Sequence, residues 1–320
     1  MDLIYYVIFF LLMFCAINVY FFIARRFNIY DKPNDRSSHA ITTLRGGGVI
    51  FFLGIIYWFF SSGCIYPWFV LGLTLISSIS FLDDFKSVGV RLRLVAHLVS
   101  VLFLLFQLTG FTGSIGLIVL SVIISVGVIN VYNFMDGING MTGLYSLSVL
   151  ASLWFINTYQ INFVENSLLY SLALLLVIFN FYNVRSKAKC FAGDIGSVSI
   201  AFILLFIIGK LIVLKNNWLY LILLLVYGVD STLTIIHRLV NKENIFMPHR
   251  KHAYQLLVNE LNVPHVKVAG IYASIQLFIS VAYILFNNSM SRYAYLISVT
   301  VLLVVIYFII KSKVKAEFLK

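Results

Sequence analysis

Long apolar runs recur along the chain, each broken by a short polar or glycine-bearing segment. A transmembrane helix needs about 17–25 mostly apolar residues, and the pattern predicts eleven spans: 3–24, 46–60, 65–82, 93–109, 114–133, 140–157, 166–182, 195–213, 218–236, 266–286 and 293–310. The second is the shortest and opens on Gly46-Gly47-Gly48, so a count of ten is the fallback. The expected fold class is an all-α polytopic integral membrane protein of about 11 transmembrane helices, in one domain over 1–320. The first run is followed by Arg25-Arg26 and no small-residue cleavage site, so it reads as a retained helix rather than a signal peptide.

Composition agrees: 61% of residues are hydrophobic, 11% are charged and mean hydropathy is +0.99, against about 25% charged residues in soluble domains. Cys15, Cys64 and Cys190 are scattered and make no disulfide or metal pattern. The net charge of +11 invites anionic lipid, nucleic acid or a phosphorylated ligand as partner. Position decides. Of the 23 Lys and Arg, all but Lys210, Lys215 and Arg292 fall in or beside the loops on one side. This is the positive-inside bias, which predicts the N-terminus out and the C-terminus in and leaves no need for nucleic acid. Acidic residues carry little topological signal, yet Asp83, Asp84, Asp136 and Asp194, among only 12 acids, all fall at cytoplasmic helix ends.

Those carboxylates sit in polar motifs. The stretch NVYNFMDGINGMTG, 130–143, spaces Asn130, Asn133, Asp136 and Asn139 by three, which on a helix is one slowly drifting polar face. Gly137 and Gly140 allow a sharp turn or a close ligand. Isolated membrane Asn residues often join helices, but four polar residues in register point to a site. In FLDDFKSVGVRLRL, neighbouring Asp83 and Asp84 diverge by about 100° on a helix and imply a cation, a raised pKa, or Lys86 as counter-ion. In NVRSKAKCFAGDIGS, the cations Arg185, Lys187 and Lys189 precede a glycine-framed Asp194, which is either a helix cap or part of a metal–pyrophosphate site. The first loop, DKPNDRSSHAITTLRGGG, offers Arg36, Ser37, Ser38, His39 and Arg45 as phosphate donors, with an ordinary basic loop as the alternative. Asp230 lies within the ninth span, either functional or satisfied by Ser231 and Thr232. Beyond it, MPHRKHAYQLL holds His249, Arg250, Lys251 and His252, which suit a phosphate clamp better than zinc. His97 and His265 read as structural.

In this order the motifs resemble one family, the polyprenyl-phosphate N-acetylhexosamine-1-phosphate transferases of the glycosyltransferase family 4 type, in the bacterial branch that initiates O-antigen or capsule. The resemblance rests on DD at 83–84, NVYNFMDGING at 130–140, AK…FAGDIGS at 188–197 and PHRKHAYQ at 248–255, with PNDRSSH and RGGG in the first loop. It implies ten or eleven helices in a bacterial inner membrane and a cytoplasmic active site. The implied reaction moves a sugar-1-phosphate from a UDP-sugar to undecaprenyl phosphate and releases UMP, with Mg²⁺ (or Mn²⁺) as cofactor and a homodimer as an option. It further implies Asp194 and Asp136 as metal ligands, Asp83 as the base on the lipid phosphate, and Asp84 as support for the metal. His249 and His252 complete the implied catalytic set, while Asn130, Asn133, Asn139, Arg45, Lys86, Lys189 and Arg250 bind substrate. Asn139 stands where the family usually has Asp, and Asn139→Asp is expected to retain activity. The rival reading is an ion-coupled secondary transporter or lipid flippase. Transporters place ionisable residues near the midplane and often show repeated halves, whereas these acids gather at one face and no repeat is visible.

Overall fold

The computed structural model describes residues 1–33, 38, 41–244, 247, 249–286 and 289–317. Asn34, Arg36, Ser37, His39 and Pro248, singled out above, lie outside these. Every expected span is occupied by a helix: α1 (Leu3–Arg26), α2 (Val49–Ser61), α3 (Pro67–Phe85), α4 (Val90–Thr109), α5 (Ile115–Met135), α6 (Met141–Tyr159), α7 (Asn166–Asn183), α8 (Gly193–Lys215), α9 (Leu225–Val240), α11 (His265–Leu285) and α12 (Ser289–Glu317). A 3-10 segment, Trp218–Leu224, leads into α9. Among the described residues nine helical segments are long and apolar enough to cross a membrane. The other two expected spans differ for separate reasons. Helix α2 has only 13 residues, and α6 carries buried Ser146, Ser148, Ser152 and Asn157 on its inner faces.

Two elements were not anticipated. A two-stranded antiparallel hairpin, β1 (Tyr30–Asp31) with β2 (Thr43–Leu44), folds the first loop back, and a short helix, α10 (Ala253–Asn259), sits inside the longest loop. Helix α8 is the axis of the bundle, packed by α2, α3, α4, α5 and α6. It is apolar on all sides, and Val198 to Ile208 are buried without interruption, as expected of a helix enclosed by others. Phe69 of α3 stacks on Phe206 with ring centres 4.1 Å apart, and Ser77 of α3 hydrogen-bonds Ser199 at 2.7 Å. Because the helices alternate in direction, the ends of α3, α5, α7 and α9 and the starts of α2, α4, α6 and α8 gather at one end, and Asp83, Asp84, Asp136 and Asp194 are there.

Candidate active site

The site is built on a seam between the first loop and the start of α8. Phe191 N donates to Leu44 O, Gly47 N to Phe191 O and Gly48 N to Ala192 O, each at 2.8–3.0 Å. The strands come so close that a Cβ on Gly48 would overlap Gly196 Cα, so glycine is required by proximity. Gly193 has φ +73°, and a Cβ there would run into Asp84 and the Gly46 backbone. The seam places Arg45 between two carboxylates: its Nε is 2.6 Å from Asp84 Oδ1 and its Nη2 is 3.0 Å from Asp194 Oδ1. Asp84 also accepts from the backbone N–H of Asp194 at 2.8 Å and of Ile195 at 3.0 Å. It thus takes two of the free donors at the start of α8, and its side chain is 0% exposed. With no exposed oxygen, Asp84 positions Asp194 and does not itself reach a ligand. Asp194 keeps 16% of its side chain open. Burial opposes the charge on Arg45, but Asp84, Asp194 and Asp31 outweigh it and hold the guanidinium charged.

Asp83 turns the other way along α3, as the spacing of neighbours on a helix requires. Its counter-ion is Arg93, at 2.8 Å, and its second oxygen accepts from Val88 N at 2.6 Å. Lys86, one of the three options for balancing the pair, is exposed beyond the end of α3; the turn of the chain at Val88 brings Arg93 to Asp83 instead. The Asp83 and Asp194 carboxyls approach within hydrogen-bonding reach of one another.

The Asn130–Gly143 stretch does not present one polar face. Asn130 donates back to Val126 O at 2.8 Å within α5. The helix ends at Met135, and Asp136 caps it while accepting from Thr142 Oγ at 2.6 Å. Burial pushes the Asp136 carboxyl up to about 7, with the nearby Asp194 adding to the effect against the hydrogen bond from Thr142. Asn139 is buried, and its Nδ2 donates to Arg185 O at 2.8 Å and Ser186 O at 3.2 Å. It clamps the loop after α7. Asn183 is a second clamp, accepting from Gly140 N at 2.7 Å and donating to Cys190 O at 2.8 Å. Asn133 stays half-buried beside Asp136. Lys189 is exposed, with Nζ 5.7 Å from the centre of the Tyr182 ring.

The histidine loop is held by a residue read as ambiguous in the sequence. Asp230 accepts from Tyr272 OH at 2.6 Å and from the backbone N–H groups of Ala253 and Tyr254 at 2.9 and 3.3 Å. His252 Nδ1 lies 3.4 Å from Asp230 Oδ1. This leaves the carboxylate fully engaged within the protein and the imidazole backed by a carboxylate, an arrangement that fixes ring orientation. Arg238, its side chain only 4% exposed, organises the turn before it by donating to Glu243, Asn244 O and Met247 O. Tyr254 OH donates to Phe134 O at 2.8 Å, tying the loop to the Asn133–Asp136 turn, and a Cβ on Gly137 would collide with that hydroxyl. His249 accepts from Lys251 N through Nδ1 at 3.3 Å. Burial, with His252, Arg238 and Lys251 nearby, pulls its pKa down to about 4, so at neutral pH it is an uncharged ring with an Nε2–H donor. Arg250 is exposed beside it.

Asp83, Asp194, Asp136 and Arg45 therefore share one polar centre, with His249, Arg250 and His252 on a loop docked to its α5 side. Asn130 and Asn139 spend their amide donors on backbone carbonyls, while Lys86 and Lys189 are exposed. Arg93, Thr142, Arg238 and Tyr254 were missed; Arg93 and Arg238, cations at membrane helix ends, carried a signal in the sequence. Among the described residues no three of His, Cys, Asp and Glu form an all-protein metal cage. Mg²⁺ does not need one, since it takes one or two carboxylates and completes its shell with water and substrate phosphate. The hard oxygens of Asp194 and Asp136 fit that demand, the latter with the oxygen not used by Thr142.

Residues 66–212 match the model of glycosyl transferase family 4, a stretch that holds Asp83, Asp84, Asp136 and Asp194 but neither Arg45 nor the histidine loop. The chain is also 25% identical over 263 residues to the probable undecaprenyl-phosphate N-acetylglucosaminyl 1-phosphate transferase of Bacillus subtilis (strain 168), covering 74% of this chain and 71% of that protein. The stretch that holds the four clustered carboxylates, residues 66–212, is thus similar to glycosyl transferase family 4.

Proposed function

We propose that the protein transfers an N-acetylhexosamine-1-phosphate from a UDP-sugar to undecaprenyl phosphate at the cytoplasmic face of the bacterial inner membrane, initiating a cell-envelope polysaccharide such as O-antigen or capsule. The observation that carries this reading is the Arg45 bridge between Asp84 and Asp194 at the start of α8, which holds one partly open carboxylate beside Asp83 and Asp136 at a helix N-terminus. Joining two phosphate-bearing anions requires neutralised charge and in-line placement far more than covalent help from the protein. In the reaction an oxygen of the lipid phosphate bonds to the β-phosphorus of the UDP-sugar. The bond from that phosphorus to the bridging oxygen breaks, and UMP leaves with the electron pair.

Asp194 and Asp136 would hold Mg²⁺, which when bound neutralises pyrophosphate charge. Arg250 and the His249 Nε2–H stand on the docked loop to take up charge on the departing UMP, and His252 is held behind them by Asp230. Both oxygens of Asp83 already accept hydrogen bonds, so its part is to orient Arg93 and the approach to Asp194; a phosphate monoester, mostly ionised near neutral pH, needs little proton removal. The test is UMP release from a panel of UDP-N-acetylhexosamines with undecaprenyl phosphate and Mg²⁺. One of them yields a lipid-linked product, and Asp194→Ala lowers the rate by about 100-fold or more. No product with any donor, or full activity in Asp194→Ala, sinks the proposal.

A further inference from the structure

At the end of the bundle away from the aspartates, a chamber of about 680 Å³ opens between the starts of α1, α3 and α7 and the end of α8. Tyr6, Tyr66, Glu165, Tyr170 and Lys210 give it polar walls. A second, mostly apolar groove of about 400 Å³ runs between α4, α5 and α8, and Leu108 and Val213 line both. The transfer reaction uses neither. Lys210 stands 16 residues along α8 from Asp194, about 24 Å at 1.5 Å per residue.

Lys210 is the feature that asks for a ligand. A cation on a membrane helix is costly unless it meets an anion, water or a π face. It has no carboxylate within ion-pair distance among the described residues; its Nζ sits 4.7 Å from the centre of the Tyr66 ring. The Tyr66 hydroxyl in turn donates to Glu165 Oε1 at 3.0 Å. A cation and a carboxylate thus share one chamber, held apart by a tyrosine ring. A lysine that simply snorkels to water accounts for the charge but not for the carboxylate opposite it or for the adjoining apolar groove.

We infer that this chamber and groove form a phospholipid site that takes a zwitterionic ammonium–phosphate head group and one acyl chain. The lipid phosphate pairs with Lys210, the head-group ammonium with Glu165, and the tyrosine rings pack at the polar–apolar boundary as they do in membrane interfaces. The chain passes Leu108 and Val213 into the groove beside Leu104 and Leu117.

The experiment is native mass spectrometry of the full-length protein in mild detergent, titrated with phosphatidylethanolamine or with phosphatidylglycerol of the same acyl chains. Wild type retains one phosphatidylethanolamine in preference to phosphatidylglycerol. Lys210→Met, which keeps an apolar stem, weakens retention of both lipids by about tenfold, the scale of one charge-assisted contact. Glu165→Gln removes only the preference, bringing phosphatidylethanolamine to the level of phosphatidylglycerol. Unchanged thermal unfolding in lipid-free detergent confirms that the variants fold; should Lys210→Met not fold, Lys210→Arg, with binding kept, and Glu165→Gln decide the matter. Equal retention of the two lipids by wild type, or undiminished binding by Lys210→Met, overturns the inference. The readout is bound lipid rather than sugar transfer, so it stands or falls apart from the proposed reaction.

Discussion

At the scale of single residues, Asn139 and Asp136 show how three positions along the chain can change a side chain's duty. The Asn139 amide donates to two carbonyls, Arg185 O and Ser186 O, in a buried setting. A carboxylate there would face those same carbonyls with nothing to give them. Leaving such buried acceptors unpaired costs about 1–3 kcal/mol, so Asn139→Asp should lower the thermal midpoint in detergent and reduce activity with it. This reverses the expectation drawn from the family resemblance, and a variant as stable as wild type would restore that expectation. Asp136 is a question of protonation. Burial raises its carboxyl from 3.8 to about 7, so the folded protein holds a proton that the unfolded chain releases earlier. Its contribution to stability is complete below about pH 4 and is lost as pH rises through about 7. Asp136→Asn, which cannot ionise, should therefore gain stability relative to wild type as pH climbs from 4 to 8, measured without divalent cation. If metal binding needs the carboxylate, transfer by wild type should fall as pH drops below about 7, and higher Mg²⁺ should move that fall to lower pH.

At the scale of elements, the seam and the docked loop decide whether these residues meet at all. Gly48→Ala puts a methyl group into the Gly196 Cα. At an unstrained open position Gly→Ala usually stabilises by about 0.4–1 kcal/mol; here it should separate the first loop from α8 and pull Arg45 off both aspartates, abolishing transfer and lowering stability. Asp230→Asn keeps the shape but removes the charge behind His252. Loss of such a backing carboxylate should slow transfer by roughly 10- to 100-fold with the thermal midpoint in detergent unchanged, while a purely structural role would lower midpoint and yield together. These contacts also mark the boundary of what could be read from the chain. The helices were legible because each apolar run is long and bounded by polar residues. The glycine-framed Asp194 after three cations was open between a helix cap and a site, and only the family resemblance singled it out. The pairing of Asp83 with Arg93, of Arg45 with Asp84, and of Asp230 with the α10 backbone was not legible, since each depends on which helix ends lie side by side, and residue spacing along one helix carries no trace of that. The stripe at Asn130 to Asn139 failed for a related reason: α5 stops at Met135, so the last two members of the series never shared its face.

For the molecule as a whole, everything rests on which side of the membrane the aspartates occupy. UDP-sugars are made in the cytoplasm, so the proposed reaction requires the α3, α5 and α9 ends to face inward, as the Lys and Arg distribution predicts. The native cysteines provide a direct test. Cys64 is exposed in the turn between α2 and α3, at the end opposite the aspartates. Cys190 is buried in the seam, and Cys15 lies mid-way along α1 on an exposed apolar face, where an aqueous thiol reagent does not reach it. A membrane-impermeant maleimide applied to intact spheroplasts should therefore label the protein once, and Cys64→Ser should erase the label. The same reagent should leave a cysteine placed at Lys86, exposed at the aspartate end, untouched until the cells are opened. Labelling of Cys64 only after opening would turn the protein over, put Asp194 outside, and leave the site without access to its donor. The orientation is thus the strictest condition on the proposed chemistry, because no rearrangement of side chains could compensate for its failure.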